Sequence, residues 1–158
     1  MYGGTKMGDV SIHVKTDNTA QAKAEMQKKI RAALKAAGIQ AASAAREEIQ
    51  KSPKRIDTGL LRNSITHAMD GEGAAIGSYK ADKASQYTGK IPDPGTYTGK
   101  AEKEPEGKAA VYIGTNSSYA IYVHEGTDRM AANRFIKNAV ENNAAELIEI
   151  IKTVLQGD

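Results

Sequence analysis

The most informative segment of this chain is Tyr119-Ala-Ile-Tyr-Val-His-Glu-Gly-Thr127, which continues through Asp128-Arg-Met130 to Phe135-Ile136. Its aromatic and aliphatic residues predict a short helical turn that ends at Gly126, since a glycine commonly terminates a helix. A basic loop that contains a methionine follows, and then a long amphipathic helix. The segment has no arrangement typical of a nucleophile or a metal site, so we interpret it as a packing and docking element.

A second informative segment, Pro53-Lys-Arg-Ile-Asp-Thr-Gly-Leu-Leu-Arg-Asn-Ser-Ile65, lies upstream. Its Asp57-Thr58-Gly59 triplet also occurs in aspartic proteases, where the aspartate ends an apolar strand and two carboxylates meet. Here a basic flank precedes a single copy, so we favour the interpretation that Asp57 caps the turn that follows it. A homodimer that brings two copies of Asp57 together is the protease alternative.

The composition restricts the class of protein. The 158 residues suit a single domain, residues 1–158, whose core relies on aliphatic residues and tyrosine because Phe occurs once and Trp is absent. The absence of cysteine excludes a disulfide framework and a thiolate metal site. No apolar run approaches the roughly 20 residues that span a bilayer, and the N-terminus has no apolar signal core. We therefore expect a soluble protein made in the cytosol, with no membrane partner and with residues 1–8 flexible.

The apolar positions between residues 19 and 51 recur at helical spacing, and alanine fills many of the others. They predict a helix of roughly 30 residues, about 45 Å long, which Gly38 weakens near its middle. Such a helix is expected to pack along a sheet and to offer its other face to a second subunit.

The net charge is +3, and Met1–Arg62 holds 12 basic and 6 acidic side chains, so the positive excess lies on the predicted long helix and the turn after it. A solvated basic face is the simpler interpretation. Non-specific contact with DNA phosphates is the alternative, and its candidate residues are Lys28, Lys29, Arg31 and Lys35.

Short runs of alternating polarity predict an antiparallel sheet. The predicted strands are Val10–Val14, Ser64–Met69, Ala74–Tyr79 and Ala109–Ile113. Asp70-Gly-Glu-Gly73 predicts a hairpin between the second and third strands. His13 and His67 fall on the polar sides of their strands, so both are expected at the surface.

A last helix is predicted over Arg134–Gln156, with Asn143 as a polar break in its apolar face. The predicted fold class is therefore α+β: an antiparallel sheet flanked by a long N-terminal helix and a C-terminal helix, with a long arm-like loop.

That loop, residues 80–108, lacks periodicity and contains the imperfect repeat Tyr87-Thr-Gly-Lys90 and Tyr97-Thr-Gly-Lys100. Loops of this length inside a compact domain are uncommon and are usually functional or disordered. We interpret residues 80–108 as an extended loop or arm that orders against a partner protein. Stacking and charge contacts with nucleic acid are the alternative, which the glutamates between residues 102 and 106 disfavour.

No catalytic residue, metal site or cofactor is predicted. His124 beside Glu125 suggests a base with an orienting acid, but neighbouring residues on a helix do not face each other. The sequence therefore predicts a protein that is not an enzyme.

Two motifs in this order resemble a family of small proteins of tailed bacteriophages and prophages: minor tail components, tail-completion proteins and head–tail joining (neck) proteins. The residues that carry the resemblance are Pro53, Asp57-Thr58-Gly59, Leu61-Arg62, Ser64-Ile65, Gly114-Thr115, Tyr119-Ala120, Tyr122-Val123, Glu125-Gly126-Thr127, Met130, Ala132 and Phe135. The family usually has a proline-containing segment after the methionine, where this chain has Ala131-Ala-Asn-Arg-Phe135.

The resemblance implies a virion protein, made in the host cytoplasm, that forms a homo-oligomeric ring of six between capsid portal and tail tube. Its implied partners are other neck, connector and tail-tube proteins, with non-specific contact to DNA in the channel. A small basic protein that binds nucleic acid without sequence preference is the alternative function. The candidates for subunit contact are Tyr119, Tyr122, Glu125, Arg129, Met130, Phe135, Tyr87 and Tyr97.

Overall fold

The structure is a computed structural model that describes residues 18–157. Its longest element is α1 (Thr19–Glu48), an uninterrupted helix of 30 residues. Its alanine-rich sequence explains the continuity, because alanine has the highest helix propensity. The predicted strand Val10–Val14 and His13 lie outside the described residues. The other elements are α2 (Leu60–Ser64), β1 (Thr66–Met69), β2 (Ser78–Tyr79), β3 (Gly95–Thr96), β4 (Val111–Gly114), α3 (Ala120–Glu125), α4 (Phe135–Asn142) and α5 (Ala144–Gln156).

The described strands form two small antiparallel sheets, β1 with β4 and β2 with β3. The α+β class predicted from the sequence is therefore confirmed. The predicted hairpin between Ser64–Met69 and Ala74–Tyr79 is wrong, although the chain does turn at Asp70–Gly73, where the Glu72 N–H donates to the Met69 carbonyl at 2.9 Å. Alternation within a strand identifies its faces but not its partner, and the distant β4 supplies the partner of β1.

A row of small residues on α1 lets other elements approach its backbone closely. Ala33, Ala37, Ala41 and Ala45, spaced four apart, are almost completely buried. Gly38 was predicted to weaken the helix, but α1 continues through it. A Cβ atom at Gly38 would overlap the Val111 side chain of β4, so glycine at this position serves the contact between helix and sheet.

Helices α4 and α5 also pack along α1, where the Gln40 amide donates to Glu146 of α5 at 3.0 Å, so this part of the helix is not left open for a second subunit. The core lies where the end of α1 meets α2, α3 and α4, and its largest buried side chains are Phe135, Ile49 and Ile65.

The predicted single helix Arg134–Gln156 is two helices, separated at Asn143. The backbone of Asn143 leaves helical geometry at φ −112° and ψ 14°, and its side-chain amide donates to the Ala139 carbonyl at 2.8 Å. A short polar side chain that binds the preceding turn competes with the backbone hydrogen bonds of a helix, which accounts for the interruption.

His67 was predicted at the surface, but it is half-buried. Its ring packs against α1 next to Gly38, and its Nε2 atom is buried and has no hydrogen-bond partner among the described residues. Burial, together with the nearby cations Lys35 and Arg46, lowers the pKa of His67 from its ordinary value of 6.5.

We predict that Gly38→Ala destabilises the fold by about 1–3 kcal/mol because the added methyl group displaces Val111. In an exposed helix the same substitution would stabilise by about 1 kcal/mol. Denaturant unfolding measures the difference. In a Val111→Ala background the cost of Gly38→Ala should vanish; an equal cost in both backgrounds would contradict this explanation.

We also predict that the stability of the fold falls as the pH drops below about 6.5. The folded pKa of His67 is lowered, so the unfolded chain binds more protons, and stability is lost as the pH falls through 6.5 towards the folded value. Urea unfolding between pH 7.5 and pH 5.5 measures the slope, which His67→Phe should flatten. Lys35→Gln should flatten it only in part, and an unchanged slope in His67→Phe would exclude this assignment.

Candidate assembly surfaces

The Asp-Thr-Gly segment holds the beginning of the long loop 80–108. The Gln86 N–H donates to Asp57 Oδ1 at 2.9 Å, and hydrogen bonds from the Ser85 hydroxyl and the Gln86 N–H lower the pKa of Asp57. Asp57 was predicted to cap the turn that follows it. Instead it caps a turn 29 residues later, inside the loop.

Gly59 permits a second attachment of the same loop. Its φ of 84° lies in the left-handed region, and a Cβ atom there would overlap the Asp82 carboxylate. Asp82 forms an ion pair with Arg62 and accepts a hydrogen bond from the Asn63 amide at 2.8 Å. Residues 55–63, which contain the motif Asp-Thr-Gly-x-Leu-Arg-Asn, thus act as a clip for the loop.

The two informative segments of the sequence meet at an open cleft of about 360 Å³. Residues 55–62 of the clip line this cleft together with Ser85, Thr88 and Pro92 of the loop and with Tyr119. Burial raises the pKa of Tyr119, so its phenol is neutral at physiological pH.

Large apolar side chains are exposed on the two segments that contribute Tyr119, Thr88 and Pro92 to this cleft. Tyr119, Ile121 and Tyr122 on and next to α3 and Tyr87 and Ile91 in the loop are between 42% and 81% exposed. We call these five residues the aromatic surface. The three tyrosines of this surface are among the contact residues predicted from the sequence, whereas Ile121 and Ile91 are not. Ile121 could have been found from helical spacing, because Ala120 and Val123 face the core three residues apart and Ile121 must then face outwards.

The other predicted contact residues divide between core and surface. Phe135 is fully buried, and its ring meets that of His124 edge to face at 5.3 Å, so it has no surface to offer a partner in this fold. Met130 packs on the core. Glu125 and Arg129 are exposed, and Tyr97 is half-buried.

His124 and Glu125 do face each other, contrary to the expectation from helical spacing. His124 Nδ1 lies 2.7 Å from Glu125 Oε1, and this hydrogen bond lowers the pKa of Glu125. His124 Nε2 accepts from the Lys137 N–H at 3.4 Å. Both ring nitrogens therefore have structural partners, and His124 links α3 to the first turn of α4.

Gly126 closes the segment. Its φ of 79° suits glycine, and a Cβ atom would lie 2.7 Å from both the Met130 carbonyl oxygen and the Ala132 nitrogen. The Asn133 N–H donates to the Val123 carbonyl at 2.9 Å, and the Asn133 amide donates to the Pro53 carbonyl at 3.0 Å. The end of α3 is thus fixed against the segment that precedes the clip.

Residues 14–126 match the model of the HK97-gp10-like family. The description of this family is "Bacteriophage HK97-gp10, putative tail-component". The match covers well over half of the chain and includes the clip, the cleft and α3. The chain belongs to this family of bacteriophage tail components. Neither a curated protein nor a solved structure matches the chain significantly. The resemblance inferred from the two motifs is therefore confirmed.

Helices α4 and α5 of this tail component lie beyond the matched residues. Within residues 18–157, no three His, Cys, Asp or Glu side chains are grouped so that they could hold a metal ion. No helix in the same range is long and apolar enough to cross a membrane.

The predicted DNA-facing cations of the tail component are in different electrostatic settings. Arg31 is held by Asp70 at 2.9 Å and by Glu72 at 2.7 Å, so its charge is already compensated. Lys29 donates to the Gly157 carbonyl at 3.3 Å. Lys28 and Lys35, two helical turns apart, are exposed.

We predict that Asp57→Ala loosens the 80–108 loop of the tail component, because the Gln86 N–H and the Ser85 hydroxyl lose their acceptor. Limited trypsin digestion should then cleave faster after Lys83 and Lys90. Asp93→Ala, which removes an exposed carboxylate from the loop itself, should leave the cleavage rate unchanged. Equal rates in wild type and Asp57→Ala would show that Asp57 does not hold the loop.

Proposed function

We propose that this tail component forms a ring of identical subunits, six in number, at the head–tail connector or the tail end of a tailed bacteriophage. In this role it completes the tail or joins it to the head, and it contacts other neck, connector and tail-tube proteins. It acts in the virion after synthesis in the host cytoplasm. The proposal assigns no reaction to the chain, since Asp57 and His124 both serve structural contacts.

The aromatic surface is the observation that supports this proposal best. Tyrosine and isoleucine side chains are exposed on two segments that contribute to one cleft. Exposed apolar patches mark interaction sites, and aromatic residues are enriched at protein interfaces, where they provide large contact areas. The clip and the His124 link hold both segments in place, so the surface is rigid before it binds. Rigid surfaces lose less conformational entropy on association.

Ring closure requires that one surface of a subunit binds a different surface of its neighbour. The aromatic surface lies on α3 and the loop 80–108, whereas other exposed apolar residues, Met26 and Ile148 among them, lie on α1 and α5. Two separate apolar regions on one chain fit this requirement better than a two-fold dimer does, because a dimer would cover one region and leave the other exposed.

Contact with DNA in the channel is a further part of the proposal, through Lys28 and Lys35. Stand-alone nucleic-acid binding, the alternative function, has weaker support. Arg31, which lies between these lysines on the helix, is neutralised by Asp70 and Glu72, and few free cations remain on this face. Tight DNA binding by the isolated subunit that falls steeply with salt would favour the alternative.

The double substitution Ile121→Glu/Tyr122→Glu tests the role of the aromatic surface. Both side chains are exposed, so the fold should persist, and self-association should weaken by at least about tenfold because central aromatic contacts are worth roughly 2 kcal/mol or more. Analytical ultracentrifugation measures the association, and tail joining can be scored in particles that carry the variant.

The control is Val140→Glu, an exposed valine on α4 that is 41% accessible, does not line the cleft and belongs to neither apolar region. It should assemble as the wild type does. A wild-type protein that stays monomeric both in solution and in the particle would refute the ring.

A further inference from the structure

Strand β4 has a free edge. The Asp70 N–H donates to the Ala110 carbonyl at 3.0 Å, and this hydrogen bond fixes the alternation of the antiparallel ladder between β1 and β4. The backbone N–H and carbonyl of Tyr112 therefore point towards β1, whereas those of Val111 and Ile113 point away from it. No described residue binds the backbone of Val111 or Ile113 on that side. Unpaired backbone groups along an edge strand are a template for one more strand.

The opposite edge of the same sheet is occupied. The His67 carbonyl of β1 accepts a hydrogen bond from the Ala75 N–H at 2.9 Å, and the Ile76 N–H donates to the Thr66 hydroxyl at 3.2 Å. His67 lies opposite Ile113, so its outward-pointing carbonyl agrees with the alternation deduced from Asp70. The free edge of this sheet is therefore that of β4.

The free edge has an apolar face and a polar face. Val111 packs on α1 at Gly38, and Ile113 shares this face and packs against the core. Tyr112 lies between them, points to the other face and is 38% exposed. Residues directly opposite each other on paired strands share a face. A strand that pairs with β4 thus needs apolar side chains at alternate positions and polar side chains between them.

The segment Val10-Ser-Ile-His-Val14 has this pattern. Its three apolar residues are β-branched, and β-branched residues favour strands. The segment lies outside the described residues and is joined to them at Asn18, where α1 begins, because the Ala22 N–H donates to the Asn18 carbonyl at 2.9 Å. Residues 18–30 are all exposed, so the described fold leaves the start of α1 largely uncovered.

The distance between Asn18 and β4 disfavours pairing within one chain. Gly38 lies 20 residues after Asn18, about 30 Å along the helix. Val111 contacts Gly38. Allowing about 7 Å for this contact and about 5 Å between paired residues, the partner of Val111 lies about 18 Å or more from Asn18. Val14 reaches at most about 14 Å from Asn18, and pairing of Ile12 with Val111 would require the intervening residues to be almost fully extended.

We infer that residues 10–14 of one copy of this chain pair with the free edge of β4 in a neighbouring copy. Val10, Ile12 and Val14 then face α1 of the neighbour, and Ser11 and His13 face away from it. A sheet edge binds an extended segment through main-chain hydrogen bonds, with alternate side chains providing specificity.

The donor segment and the acceptor strand are different parts of the molecule, so each copy can bind two neighbours, as a closed ring requires. This inference rests on the proposed function and deepens it by naming a contact between neighbouring subunits.

Single cysteines test the pairing, because the natural chain has none. Full-length Tyr112→Cys protein is mixed with Ser11→Cys protein or with His13→Cys protein and oxidised. Both donor positions share the outer face with Tyr112, so a disulfide-linked heterodimer is expected in at least one mixture. The matched control replaces Tyr112→Cys with Ser78→Cys, an exposed position on β2 of the other sheet, and should give no specific product.

A double variant distinguishes exchange between copies from pairing within one chain. It combines Tyr112→Cys with the donor cysteine that reacted. Disulfide-linked multimers are expected, since each copy offers one donor and one acceptor. An internal disulfide without linked multimers would show that the segment pairs with its own β4 and would overturn the inference.

The assigned faces of the segment provide an independent measurement. Ile12→Asp should weaken self-association at least about tenfold, because it places an unpaired carboxylate against α1 of the neighbour. His13→Asp, the adjacent position, is the matched control and should associate as the wild type does, because its side chain faces away and the main-chain hydrogen bonds remain. Sedimentation velocity measures both variants, and equal association of the two would overturn the assignment.

Two further results would overturn the inference. The first is a disulfide-linked homodimer from Tyr112→Cys protein alone, which indicates that two β4 edges pair about a two-fold axis. The second is no heterodimer while the wild type still assembles, which removes this contact but leaves the ring and the aromatic surface intact. Failure of the proposed function gives a different result, since a chain that is monomeric in every condition forms neither ring nor cross-link.

Discussion

The close approach that the small residues of α1 permit is the constraint on which the rest of the structure depends. Alanine and glycine at positions 33, 37, 38, 41 and 45 let the other elements of the fold, β1, β4, α4 and α5, pack closely on the helix. Large side chains in this row would separate these layers. The core has one phenylalanine and no tryptophan, so it depends on short distances between backbones rather than on large rings.

The functional surfaces are consequences of this arrangement. The end of α1 delivers the chain to the clip, and the clip holds the loop 80–108 through Asp57 and Asp82. Hydrogen bonds from the Asn133 N–H to the Val123 carbonyl and from the Lys137 N–H to His124 hold α3 against the segment that leads into α4 and against α4 itself. Residues that resemble catalytic groups in the sequence are thereby used as hydrogen-bond anchors. Such anchors fit the docking surface that we propose, because a surface that keeps its shape before its partner arrives loses less conformational entropy on binding.

Long helical periodicity and glycine positions were informative at the level of sequence. They predicted α1 almost to its ends, α3 and its termination at Gly126, and the α+β class. The two motifs also indicated the family, which residues 14–126 confirm. The site residues were only partly recognisable. Phe135 looked like a contact residue because it is aromatic and follows a docking segment, but its burial depends on α1 and α3, which no local pattern reveals.

The sequence by itself determined the local features of this chain, which are the continuity of α1, the end of α3 at Gly126 and the turn at Asp70–Gly73. Their interactions connect residues only a few positions apart, so local patterns predict them. Contacts between distant residues were decided only when the chain folded. The pairing of β1 with β4, the capping of Gln86 by Asp57 and the burial of His67 against Gly38 each join positions about 30 or more residues apart. Their free energies depend on which surfaces meet in three dimensions, and one-dimensional spacing carries no information about that choice.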